Sequence, residues 1–104
     1  MERIEKLQTM LLQFPADCFL RHALALEWAK LGDYAQARKH FEEVLALDAN
    51  YIGTYYHLGK TLEKLQLSAD AIQVYEEGIR RAGLVNDRHA RNELQQALDD
   101  LNDE

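Results

Sequence analysis

Apolar residues recur along this chain at steps of three and four, the spacing that puts them on one side of a helix, and they do so in six separate runs. Ile4, Leu7, Met10, Leu11 and Phe14 form the first stripe, ended by Pro15, which cannot extend a helix. Leu20, Leu24, Leu26 and Trp28 through Leu31 form a second run, closed by Gly32, whose missing Cβ suits a left-handed residue after a helix end. Asp33 caps a third helix, with Gln36 three places on, and Ala37, Phe41, Val44, Leu45 and Leu47 make its apolar face. A fourth helix runs over 52–65 and a fifth over 69–82, with Ser68 as cap and Leu67 placed to pack on Ile72 as a hydrophobic staple. Asn86 and Asp87 open the last helix, whose stripe is Ala90, Leu94, Ala97, Leu98 and Leu101.

The middle four helices are two copies of one pattern. Shifting the chain by thirty-four positions pairs Leu24 with Leu58, Ala25 with Gly59, Lys30 with Lys64, Leu31 with Leu65, Ala37 with Ala71 and Phe41 with Tyr75. Small residues recur where two helices must approach closely. A single helix pair cannot bury its own apolar face, so the copies are expected to stack and share a core, with the first and last helices covering the ends.

These residues resemble the tetratricopeptide repeat, a thirty-four-residue helix-turn-helix unit that asks for a large residue, then L-G/A, an aromatic, A, F/Y and A. Tyr55, Leu58-Gly59, Ala71, Tyr75 and Gly78 fill that pattern in the second copy, and Leu24-Ala25, Trp28, Ala37, Phe41 and Val44 in the first. Arg21 and Leu62 replace aromatics, and Ala49 and Gly83 stand where proline usually ends the repeat. The resemblance implies an all-α fold, a right-handed superhelix of antiparallel helix pairs forming an α-α solenoid of about six helices. It divides the chain into a half-repeat helix at 1–17, repeats at 18–51 and 52–85, and a capping helix with an acidic tail at 86–104.

The chain has 104 residues, 47% apolar and 29% charged, which suits one ordinary domain. Its net charge of −6 is uneven, because 86–104 holds two basic and six acidic side chains. No basic stripe is present to displace counterions from phosphates, so nucleic acid is not expected as a partner. No apolar run suits a secretory signal or a membrane span. The single cysteine, Cys18, cannot form an internal bridge, so a reducing, cytoplasmic setting is the default expectation.

Positions on the first helix of each pair that packing leaves free should line the concave surface of the stack. These are Phe19, His22 and Leu26 in the first repeat, and Tyr56, Lys60 and Glu63 in the second. Phe19 and Leu26 face either the groove or the core. Rings and charges at this spacing suit a peptide or a helix of a partner protein. A subset of the family grips a peptide's terminal carboxylate with lysine, asparagine and arginine. The matching places here hold His22, Leu26, His57, Asp87 and Arg91, of which Arg91 alone fits.

His22, His57 and His89 recur on successive helices, but facing helices lie too far apart for three such rings to share a zinc ion. The first two are expected to titrate near pH 6.5. Cys18 has no basic neighbour in sequence, and Glu42-Glu43 and Glu76-Glu77 point in different directions on a wet helix face. No catalytic, cofactor or metal motif appears, so a binding scaffold rather than an enzyme is expected. The alternative is self-assembly into a homo-oligomer through the terminal helices.

Overall fold

The computed structural model describes residues 1 to 103; Glu104, the end of the acidic tail, lies outside them. Six helices, and no strand among the described residues, follow one another: α1 (Glu2–Gln13), α2 (Cys18–Lys30), α3 (Tyr34–Leu47), α4 (Gly53–Lys64), α5 (Ser68–Leu84) and α6 (Arg88–Asn102). Helix α3 packs on both α2 and α4, α5 packs on both α4 and α6, and α1 packs on α2. The result is a slab of 40 × 29 × 19 Å with α2, α4 and α6 side by side on one face.

Three helix ends share one solution. Gly32, Gln66 and Asn86 all adopt positive φ, at 80°, 64° and 59°. The next N–H in each case reaches back to the carbonyl five residues earlier: Asp33 to Trp28 at 3.0 Å, Leu67 to Leu62 at 2.9 Å, and Asp87 to Ala82 at 2.9 Å. These bonds satisfy carbonyls that a helix end leaves orphaned and turn the chain back on itself. Asp33 and Asp87 then cap the next helix, accepting from Gln36 N–H and Ala90 N–H. The expected Ser68 cap is corrected: Ser68 is already the first residue of α5, Leu67 holds the cap position, and no side-chain cap bond forms. Leu67 and Ile72 instead pack on the core.

The main core runs through both repeats into α6, joining Phe41, Leu58, Tyr75, Leu94 and Leu98. Its closest approach is at glycine. A Cβ at Gly59 would clash with the Cδ1–Cε1–Cζ edge of the Tyr75 ring, and one at Gly78 would lie 2.6 Å from Tyr55 Cβ and 3.0 Å from Leu94 Cδ1. The two glycines therefore let α4 and α5 interdigitate ring against backbone.

Helix α1 builds a smaller cluster, in which Ile4, Leu7 and Leu11 meet Leu24. Trp28 touches both clusters. The expected five-residue stripe narrows here to three, because α1 packs on α2 alone and leaves Met10 and Phe14 48% and 58% exposed. Leu47 likewise emerges at the end of α3.

Arg21, which replaces an aromatic of the repeat pattern, ties elements together instead of filling the core. Its Nη1 lies 2.7 Å from Glu43 Oε2 on α3, and its Nη2 donates to the Pro15 carbonyl at 3.0 Å. The guanidinium thus holds the end of α1 against the first repeat through charge-assisted bonds.

Candidate binding groove

The face made by α2, α4 and α6 carries two adjoining depressions, and Lys60 lines both. The first, about 130 Å³, lies between α2 and α4, with Leu26, Ala29, Tyr34, Phe41 and His57 below and Lys60 and Lys64 at its edge. The second, about 370 Å³, lies between α4 and α6, where Tyr56 and Lys60 face His89, Asn92, Glu93, Gln96 and Asp100. One half of the groove is almost wholly apolar with cationic edges, and the other exposes more polar atoms and carries two carboxylates.

Ala29 accounts for the apolar half. It occupies the position that Glu63 holds in the second repeat, and beneath it Phe41 stands where the second repeat has Tyr75. In the second repeat the Tyr75 hydroxyl donates to the Glu63 carboxylate, so that space is filled. In the first a methyl group and a bare ring leave a hollow. Burial and the nearby Glu63 carboxylate push the Tyr75 hydroxyl far above its usual pKa, which keeps it a donor.

Tyr56, Lys60 and Leu26 come together in this groove. Lys60 Nζ lies 5.7 Å from the centre of the Tyr56 ring, within cation–π range, and 3.7 Å from Glu63 Oε2. The other expected contact residues sit elsewhere. Glu63 is half-buried, its carboxylate taken by Tyr75 and Lys60. Phe19 is 70% exposed on the first turn of α2 and lines neither depression. Arg91 lies with Asn86, Asp87 and Arg88 in a separate hollow at the α5–α6 turn.

His22 is part of the seam between the repeats. Its Nδ1 is 2.8 Å from Thr54 Oγ1, and its ring lies 5.4 Å from Phe41, 5.7 Å from Tyr51 and 5.5 Å from His57. Titration near pH 6.5 is corrected by this packing. Burial, and secondarily the facing His57, bring His22 down to about 4, while burial also lowers His57 against the opposing pull of Glu93. Cys18 is half-buried, its thiol turned toward the Val44 carbonyl and its pKa raised, first by burial and then by Asp48 and Asp17. That setting favours an unreactive thiol. No group of three His, Cys, Asp or Glu side chains among the described residues could hold a metal ion.

The α6 wall of the groove escaped the sequence reading because α6 is out of step. Leu58 and Leu62 of α4 are matched by Leu94 and Leu98, thirty-six positions on, whereas Leu24 and Leu58 are thirty-four apart. Helix α5 is three residues longer than α3 and the turn after it two residues shorter, so α6 begins one residue late, and its buried stripe falls two residues late. A strict thirty-four-residue shift points at Arg91. The stripe of α6, aligned on that of α4, points at Asn92 and Gln96.

Antiparallel helix pairs stacked on a shared core, with their first helices forming an open furrow, define a helical-repeat protein of the kind that mediates protein–protein contact. Residues 27–66 match the TPR repeat family and residues 52–83 the tetratricopeptide repeat family. A tetratricopeptide repeat domain protein from Salinibacter ruber is 41% identical in its crystal structure; the match covers 83% of this chain and 96% of that one, with a TM-score of 0.78. The chain belongs to the tetratricopeptide repeat family.

Two relatives by sequence differ greatly in length. The TPR repeat-containing protein PA0015 of Pseudomonas aeruginosa is 29% identical over 91 residues, 88% of this chain and 87% of its own. Protein DIA2 of Eremothecium gossypii is 35% identical over 75 residues, 72% of this chain; the match spans only 11% of that much longer protein. No helix among the described residues is long and apolar enough to cross a membrane.

Proposed function

We propose that this chain holds a peptide segment of a partner protein across α2, α4 and α6, in a cytoplasmic setting consistent with its free cysteine. The observation that carries the reading is the position of Lys60 at the junction of the two depressions, with the Tyr56 ring beside it in the second. An extended segment crossing the face meets an aromatic ring and a cation at its midpoint, contacts that supply area and orientation at low entropic cost. The roles assigned to Phe19, His22, Glu63 and Arg91 are correspondingly reduced to seam, support and periphery.

Peptides selected from a displayed library on the intact chain test this directly. A Tyr56→Ala, Lys60→Ala double variant that keeps its helical circular dichroism should lose about tenfold or more in affinity for them. Unchanged affinity would place binding on another face.

Self-association is a second reading, supported by Leu12, 84% exposed, near Phe14 at the end of α1. Leu12→Glu tests it in solution, since Leu7 and Leu98 are core residues whose replacement by charge would unfold the chain. A concentration-dependent mass that the variant abolishes would favour assembly.

A further inference from the structure

The two halves of the groove differ in charge as well as polarity, and that difference describes the ligand. Lys60 and Lys64 edge the apolar hollow, and Lys64 is exposed with no ion-pair partner among the described residues. Across α4, Glu93 pairs with no lysine or arginine among the described residues, its neighbours being the His89 ring at 3.9 Å and His57, and Asp100 takes a neutral amide hydrogen from Gln96 at 2.8 Å. Beyond the Lys60–Glu63 pair, each half therefore presents charge that the protein leaves largely uncompensated, Lys64 at the edge of the apolar hollow and Glu93 with Asp100 along α6.

Resting on the groove reading above, we infer that the partner segment carries an apolar side chain flanked by carboxylates, with cationic residues a short interval away on one side. The apolar group fills the space over Ala29, between Leu26 and Tyr34, while its acidic neighbours meet Lys60 and Lys64. The cations reach Glu93 and Asp100. Neighbouring helix axes lie about 8 to 10 Å apart, and an extended chain advances about 3.3 Å per residue, so the interval is about three residues. The site fixes this order in space, so the cations follow the anchor if the backbone runs from α2 toward α6 and precede it if the backbone runs the other way.

Two synthetic nonapeptides of identical composition provide the test. In one the leucine stands between two glutamates with two arginines about three residues away; in the other the arginines flank the leucine and the glutamates are distant. Fluorescence anisotropy at low ionic strength should show the first binding about fivefold or more tighter. The Lys64→Glu, Glu93→Lys variant, folded by circular dichroism, should prefer the second. Equal affinities, or a preference the variant leaves unchanged, would overturn the charge order, while loss of that binding in the Tyr56→Ala, Lys60→Ala variant would leave the groove reading standing. Failure of both peptides to bind, or binding indifferent to that double variant, would overturn both.

Discussion

The two repeats reach the same shape by different chemistry. In the first, Phe41 packs below Ala29 and an arginine, Arg21, stands where the second has Tyr55. In the second, Tyr75 lies against Gly59 and donates a hydrogen bond from its hydroxyl to Glu63, while Tyr55 lies against Gly78 and donates to the Ala49 carbonyl at 2.6 Å. The second pair is closed by rings, glycines and hydrogen bonds. The first packs as closely in its core but keeps a hollow on its groove face. A family's packing positions can thus be filled so that one unit is built chiefly for cohesion and its neighbour leaves room for a ligand.

The largest expected effects break the cores of the two units. Phe41→Ala and Tyr75→Ala each remove a fully buried ring and should cost about 3 to 5 kcal/mol in denaturant unfolding. Gly59→Ala should cost about 3 kcal/mol, since its new methyl meets the Tyr75 ring, whereas Ala25→Gly at the matching position in the first unit should cost about 1.

Acid should act at the seam between the units. The folded state keeps His22 neutral down to about pH 4, while the unfolded chain takes up that proton near pH 6.5. The unfolded state therefore binds more protons within this window. Stability is fully retained above pH 6.5 and is lost as pH falls toward 4, by about 2 to 3 kcal/mol after allowing for the ring's partial exposure. His22→Asn should weaken the urea midpoint's dependence on pH across this interval, leaving the part due to His57 and His40, which burial also lowers.

Smaller changes sharpen the contrast. Tyr75→Phe leaves the half-buried Glu63 carboxylate with Lys60 as its remaining partner and should cost about 1 kcal/mol. At the turns, Gln66→Gly should stabilise by about 0.5 to 1 kcal/mol, because Gln66 holds the left-handed conformation that Gly32 adopts without strain. Gly32→Ala should do the opposite, and thermal melting would measure both.

Much of the helix layout was legible because Leu24, Ala25, Ala37 and Phe41 return as Leu58, Gly59, Ala71 and Tyr75 with the same burial. Where legibility failed, tertiary context decided. Met10 and Phe14 are periodic with Leu7 and Leu11, yet periodicity cannot say that α1 meets only one neighbour. Gln66 takes a glycine's place because the turn's hydrogen bonds compensate for an unfavourable backbone. His22 sits at a groove position of the pattern but turns into the seam, because Thr54 and the Phe41 and Tyr51 rings receive it there. The site was half visible: Leu26, Tyr56 and Lys60 came from the repeat, and the α6 wall was hidden by the two-residue delay that follows the longer α5.

Binding across α2, α4 and α6 is the central claim, and an NMR titration of the isotopically labelled chain with a selected peptide tests it most directly. Amide shifts should cluster at Leu26, Ala29, Tyr56, Lys60, Asn92 and Gln96. Shifts concentrated instead on α1 and α3, with those six amides unmoved, would contradict it.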